Sequence, residues 1–197
     1  LPYAECIRAL ENGRVVAFAT DTFYALACDP YNVQAVIQLR AIKKRADAKP
    51  LPLLIARDFD WHRLGCEHTD LTKTLARCFW PGKLTMIVPC QSELAAQVGQ
   101  PGDGAVGLRV PGNTWLLGLL SRWDGPVVGT SANLAGKPPA RSVDEVRGYF
   151  GEDLFCVDGG RAPGGEPSTV VHMVEGGLKV DREGAVRSEL LNEWIVG

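Results

Sequence analysis

The feature that most constrains this chain is a set of short apolar runs that each end in, or enclose, a polar group. Pro126-Val127-Val128 leads into Gly129-Thr130-Ser131-Ala132-Asn133 and then into the breaker-rich Gly136-Lys137-Pro138-Pro139. Residues 15–24 read Val-Val-Ala-Phe-Ala-Thr-Asp-Thr-Phe-Tyr, 84–89 read Leu-Thr-Met-Ile-Val-Pro, and 106–111 read Val-Gly-Leu-Arg-Val-Pro. Apolar runs of this length bounded by turn formers fit buried strands. Open α/β folds bind ligands at the carboxyl ends of such strands, so the hydroxyl, amide and guanidinium groups there point to a pocket.

Helical patterns alternate with these runs. Residues 3–12 carry Cys6, Ile7, Ala9 and Leu10 at helical spacing and stop at Asn12-Gly13. Residues 32–42 start on Asn32, a good N-cap, place Val33, Val36, Ile37 and Leu39 on one face, and run into a basic tail from Arg40 to Arg45. Leu71 to Phe79 predicts a helix closed by Trp80-Pro81-Gly82, and Thr114 to Arg122 another. Ser142 with Glu145 predicts a capping box ahead of the stripe Val143, Val146, Tyr149 and Phe150. Strands are expected at 14–19, 50–56, 84–89, 106–111, 126–130, 155–158, 169–174 and near 178–181, with a glycine-rich loop over 159–166. With no repeat and no linker, the expectation is an α/β fold: one domain over 1–197, a twisted mixed sheet with helices packed against it.

Composition narrows the function classes. Of 197 residues, 46% are apolar and 22% charged, a globular profile far from disorder. The formal charge of −2 gives no overall field for nucleic acid, and the local basic cluster is Lys43, Lys44, Arg45 and Lys49. No apolar run is long enough to cross a bilayer and no secretion-signal layout is visible, so a cytoplasmic protein with no membrane partner is expected. Cys6, Cys28, Cys66, Cys78, Cys90 and Cys156 are widely spaced, without a C-x-x-C pair, and read as reduced, mostly buried thiols.

Four polar groups could carry chemistry: Thr20-Asp21-Thr22, the Lys43/Arg45 pair with Lys49, Arg109, and Ser131 with Asn133. His62, His68 and His172 are scattered, which argues against a Ser-His-Asp set, and no phosphate-loop or dinucleotide motif occurs. A lysine and an arginine one residue apart can converge on a polyphosphate, or they can be a solvated helix end. Arg109 inside an apolar run needs a carboxylate, either structural or from a ligand. Ser131 and Asn133 fit a ligand site or a turn, and the 159–166 loop fits a ligand flap or an ordinary connection.

Seven segments, in order, resemble the YrdC/TsaC family: Thr20-Asp21-Thr22-Phe23-Tyr24-Ala25-Leu26, Lys43-Lys44-Arg45 with Lys49-Pro50-Leu51, Pro81-Gly82-Lys83-Leu84-Thr85, Val106 to Pro111, Thr130-Ser131-Ala132-Asn133, Ser168-Thr169-Val170-Val171 and Arg182-Glu183-Gly184-Ala185. The resemblance covers about residues 5–187 and matches the short type without a second domain. It implies a YrdC-like fold with a concave ligand-binding surface and the synthesis of threonylcarbamoyl-AMP and pyrophosphate from L-threonine, bicarbonate and ATP. Mg2+ is the implied metal, and downstream threonylcarbamoyl-transferase machinery that modifies tRNA is the implied partner. Carried over to this chain, Thr22, Arg109 and Ser168 would bind threonine. Lys43, Arg45 and Lys49 would hold phosphates, Ser131 and Asn133 would position the nucleotide near its α-phosphate, and Thr85, Pro139 and Arg182 would serve the ATP side. Lys43, Arg45, Ser131 and Asn133 are the implied catalytic set, and replacing Lys43 or Arg45 by alanine is expected to lower turnover by orders of magnitude with the fold intact.

Ala25, Lys83, Leu54 and His172 stand where the family usually has glycine, proline, histidine and aspartate. Leu54 and His172 bear on amino-acid selectivity, which keeps open a paralogue acting on another small molecule. The family fold has also been linked to double-stranded RNA, so a non-catalytic RNA- or ribosome-associated protein with weak RNA binding is the other alternative. Net acidity and sparse aromatic interleaving argue against it.

Overall fold

The first helix, α1 (Tyr3–Glu11), buries Cys6, Ala9 and Leu10, and it ends where Gly13 takes φ +68° and donates its amide to Leu10 O. Only a residue without a Cβ adopts that left-handed turn cheaply. The chain then enters β1 (Val16–Ala19), buried at every position, and folds back as β2 (Tyr24–Ala27). The computed structural model describes residues 3–44, 49–99 and 104–195.

Asn32 caps α2 (Val33–Ile42), its Oδ1 accepting from the Ala35 amide at 3.0 Å. The expected apolar face of this helix is turned: Val33 and Ile37 are each 53% exposed, while Ala35, Val36, Leu39 and Arg40 are buried. Arg40 explains the rotation, because its guanidinium donates to Lys49 O at 2.7 Å and Gln97 O at 3.2 Å and so ties one loop and the helix at Glu93–Val98 to this helix. After β3 (Leu53–Leu54) and a 3-10 turn at Trp61–Leu64, Thr69 and Thr72 make a capping box for α3 (Asp70–Phe79). There follow β4 (Leu84–Pro89), α4 (Glu93–Val98), β5 (Ala105–Arg109), α5 (Thr114–Trp123), β6 (Val127–Val128) and β7 (Thr130–Ser131). The chain continues through α6 (Val143–Phe150), β8 (Phe155–Cys156), β9 (Thr169–Val174) and β10 (Gly177–Arg182).

The α/β class holds, but the single expected sheet is two. One has the order β7-β2-β1-β8 and the other β10-β9-β4-β5-β3-β6, both with parallel and antiparallel pairs. The run expected as one strand over 126–130 is the seam: β6 pairs with β3, β7 pairs with β2, and Gly129 lies between them. Gly129 donates to Pro52 O at 2.9 Å, and a Cβ there would press into the Leu54 side chain. Pro50 to Ala56 therefore yields only a two-residue strand, trapped between β5 and β6. The capping box at Ser142 is also rearranged. Ser142 Oγ accepts from the Glu145 amide, but the Glu145 carboxylate takes the Arg141 amide instead of closing back on Ser142.

A continuous apolar core joins both sheets, with Phe18, Tyr24, Leu26, Leu53, Leu84 and Met86 almost wholly buried. Each such side chain contributes about 1.5–3 kcal/mol by leaving water, before chain entropy is counted. The cysteines are free thiols; Cys6, Cys28, Cys66 and Cys90 are buried, and Cys78 is exposed.

Candidate active site

At the seam between the sheets lies a cavity of about 310 Å³, lined by Thr22, Leu54, Thr85, Arg109, Ser131, Pro139, Ser168 and Arg182 among others. Residues from β2, β3, β4, β5, β7 and the β9–β10 region thus reach one space, although the chain separates them widely. Volume and lining suit a small polar ligand.

Arg109 projects from the buried end of β5. Its Nε donates to Gly82 O at 2.8 Å and its Nη2 to Asp21 Oδ1 at 2.7 Å. The structural carboxylate that sequence reasoning left open is therefore Asp21, in the turn between β1 and β2. Those two bonds use one edge of the guanidinium and leave Nη1 for a ligand in the cavity that Arg109 lines. Burial pushes Arg109 below its ordinary pKa, with the Asp21 carboxylate opposing that shift and Arg182 adding to it. It still stays charged near neutrality.

Arg182, at the end of β10, is pushed down by burial as well. It donates to Ser168 O at 2.9 Å and makes no ion pair within 4 Å among the described residues. Ser168 Oγ lies 3.0 Å from Thr85 Oγ1, so Thr85, Ser168 and Arg182 form one hydrogen-bonded group. With Pro52, this group also borders a second cavity of about 190 Å³, whose far wall carries His172 and Asp181. Leu54 faces the first cavity and His172 only the second, so these two departures fall in different places.

Lys43 ends α2 and is buried, its Nζ donating to Ser131 O and, at 3.2 Å, to Asn133 O. The solvated-helix-end reading fails for this residue. Asn133 Oδ1 accepts from Ser131 Oγ at 2.7 Å, and its Nδ2 donates to Lys137 O at 2.7 Å. Asn133 is therefore a clamp holding the loop after β7, with its amide spent internally. Lys49 is exposed and lies outside the lining of both cavities; its carbonyl serves Arg40. Arg45 lies outside the described residues.

The glycine-rich loop is tied down over one side of the cavity. Tyr24 Oη donates to Gly160 O and accepts from the Gly159 amide, while Gly164 donates its amide to Thr22 O. Arg141 grips the same loop through Ala162 O and Pro163 O, which leaves no room for a Cβ at Gly164, where φ is +73°. Sequence reasoning missed Arg141 and Tyr24 as anchors because each bonds to backbone carbonyls or amides, which no residue pattern announces. Asp21 carried a signal, being an acid between two threonines in a chain that also buries an arginine.

The sequence profile of the Sua5/yciO/yrdC family, described as "Telomere recombination", matches residues 8–184. This chain belongs to that family. It is 38% identical over 154 residues to the threonylcarbamoyl-AMP synthase of Cellvibrio japonicus, covering 78% of this chain and 80% of that one. A putative threonylcarbamoyl-AMP synthase of Mycobacterium leprae is 34% identical over 187 residues, covering 93% of this chain and 83% of the relative. Among solved structures, P. abyssi Sua5 complexed with L-threonine superposes with a TM-score of 0.86 at 28% identity, over 98% of this chain. This chain spans 57% of the length of that Sua5. No helix among the described residues is long and apolar enough to cross a membrane.

Proposed function

We propose that this protein is a threonylcarbamoyl-AMP synthase, using L-threonine, bicarbonate and ATP and releasing pyrophosphate, with the product passing to the machinery that forms N6-threonylcarbamoyladenosine in tRNA. The observation that carries this reading is the meeting in one cavity of the groups assigned to the amino acid, Thr22, Arg109 and Ser168, with those assigned to the nucleotide, Ser131, Pro139 and Arg182. Relatives bearing that name support it.

In this mechanism Arg109 takes the threonine carboxylate through its open edge, and Pro52, Phe23 and Leu54 give the methyl group an apolar wall. The threonine amine adds to bicarbonate, losing water, to give a carbamate. A carbamate oxygen then attacks the α-phosphorus, and the bond to the β-phosphate oxygen breaks as pyrophosphate leaves. Adenylation of this kind needs alignment and positive charge more than covalent help from the protein. Arg182, which makes no ion pair among the described residues, supplies that charge, and Lys43 fixes the Ser131 loop on which the α-phosphate would rest. Among the described residues, none of those lining the cavity is an acid, and Asp21 is engaged by Arg109, so this donor set fits a magnesium ion carried in by the triphosphate rather than one held by these side chains. Bound there, Mg2+ would neutralise the departing pyrophosphate. The continuous core supports reading the chain as one domain, and a cytoplasmic location follows from the tRNA-directed product.

The test is pyrophosphate release with each substrate omitted in turn. Release should require threonine, bicarbonate and ATP together, and Arg182→Ala should slow it roughly 100-fold. Equal turnover with other amino acids would replace the threonine assignment with the paralogue reading. RNA retention without threonine-dependent release would refute the synthase.

A further inference from the structure

Away from both cavities, the connection between β3 and α3 gathers three metal-ligating side chains. Asp60 caps the 3-10 turn at Trp61–Leu64, its Oδ1 accepting from the His62 amide at 3.0 Å, which sets the carboxylate beside the imidazole. Gly65 then turns back at φ +69°, where a Cβ would meet Gln91 O at 2.9 Å, and returns the chain so that His68 stacks on His62. The two rings lie 4.0 Å apart with their planes within 15°. One donor atom from each of Asp60, His62 and His68 falls within 4.8 Å of the others.

A second observation is independent of that clustering. His68 is wedged against the Trp61 ring at 4.5 Å, and its Nε2 is buried with no hydrogen-bond partner among the described residues. A buried ring nitrogen without a partner is costly and needs a physical reason. In the tautomer of neutral imidazole that leaves Nε2 unprotonated, that nitrogen can serve as a metal ligand.

We propose that Asp60, His62 and His68 bind one divalent transition metal, with Zn2+ the ion best matched to two imidazoles and a carboxylate. Zinc bonds of about 2.0–2.2 Å would draw the donor atoms closer than their present spacing, which requires the exposed His62 ring to turn off His68 while the second Asp60 oxygen reaches the ion. The fourth position opens onto a surface depression bordered by Glu67 and Gln91. Lys73 of α3 is the cation whose charge reaches His68; it opposes the ion, and Asp60 offsets it. Cys66 pairs across an antiparallel bridge with Cys90 and stands outside the donor set. The bound ion would staple a connection that carries almost no regular structure between β3 and α3, and by binding the folded chain alone it would stabilise it.

The experiment uses the chelator-treated full chain titrated with Co2+ as a spectroscopic probe and with Zn2+ by calorimetry. One equivalent should bind with tetrahedral or five-coordinate d–d absorption, and Zn2+ should displace it and raise Tm. His62→Gln should weaken binding by roughly tenfold or more, as should Asp60→Asn, which keeps the oxygen that caps the turn, while Cys78→Ser should leave it unchanged. Affinity unaltered in both ligand variants, a thiolate charge-transfer band that vanishes with Cys78→Ser, or no binding at millimolar metal would each overturn the site. Circular dichroism of the variants separates lost ligation from lost folding.

Discussion

Neutralising Asp21 tests the centre of the site. The Asp21 carboxylate and the Arg109 guanidinium meet at 2.7 Å with side chains 13% and 9% exposed, so neither charge is well solvated. At 4 Å and an effective dielectric of 20, such a pair attracts by about 4 kcal/mol, a gain that desolvation largely offsets while both partners are present. Asp21→Asn removes the charge and keeps an acceptor oxygen, leaving the buried guanidinium uncompensated. Breaking a buried pair from one side costs roughly 3–5 kcal/mol, and the low end applies here because Arg109 keeps Gly82 O and borders a cavity that water can enter. A loss of about 3 kcal/mol lowers Tm by roughly 6–12 °C in a chain of this size. Urea denaturation gives the free energy, and an unchanged m-value would show that the same transition is being measured. Arg109→Met should cost a similar amount, since it leaves the Asp21 carboxylate, 13% exposed, without its partner. Combining it with Asp21→Asn should make the double variant more stable than Asp21→Asn alone. Saturating L-threonine should restore part of the lost Tm in Asp21→Asn, because its carboxylate replaces the missing charge, and none in Arg109→Met. Asp21→Asn within about 0.5 kcal/mol of the parent would refute the pair as an energetic element, and a threonine shift preserved in Arg109→Met would remove Arg109 from ligand binding.

Two further variants probe the frame around that pair. Gly129→Ala would place a Cβ 2.5 Å from Leu54 Cδ1, at the branch of a side chain trapped between strands, and should cost about 1–3 kcal/mol in urea denaturation. In a Leu54→Ala background the added cost of Gly129→Ala should shrink towards zero, and simple additivity of the two costs would show that the residues do not press on one another. Lys43→Ala should lose stability as well as turnover, about 1–3 kcal/mol by thermal melting, because Ser131 O and Asn133 O lose a buried charged donor; a variant with normal Tm would return Lys43 to a purely ligand-directed role.

That last expectation reverses the one drawn from sequence, and the reason is instructive. A basic helix end looks the same in sequence whether it is solvated or folded under. What decides is the position of the carbonyls after β7, which come from residues 88 and 90 positions away. The elements that were legible have local causes: Asn32 as a cap, Gly13 as a stop, and the 84–89 and 169–174 strands, whose limits agree with their apolar runs. The misreadings have non-local causes. Val33 and Ile37 face outward because Arg40 is needed inside, and 126–130 divides because the two halves find partners in different sheets. At the site, an arginine within an apolar run announced that a carboxylate was required, but two candidates, Asp21 or a ligand, satisfied the same requirement. The structure answers with Asp21 on one edge of the guanidinium, and the open edge keeps the second answer available.

The division at Gly129 also explains why an amino acid and a nucleotide could be aligned here without a hinge. Arg109, Ser168 and Arg182 belong to the six-stranded sheet or its margins, whereas Thr22 and Ser131 belong to the four-stranded one or its connecting turn. Each sheet thus presents part of the proposed ligand-binding set across the same seam, and a shared core joins them. Lys43 reinforces the geometry by bonding to the loop that leaves the seam, and the clamp from Tyr24 and Arg141 holds the glycine-rich loop against it. Under the proposed function, holding a carbamate oxygen in line with an α-phosphorus is the main work of catalysis, so rigidity at this seam is part of the mechanism. Changes at Gly129 or Leu54 should therefore impair turnover beyond their effect on the folded fraction, even though Gly129 has no side chain to offer a ligand.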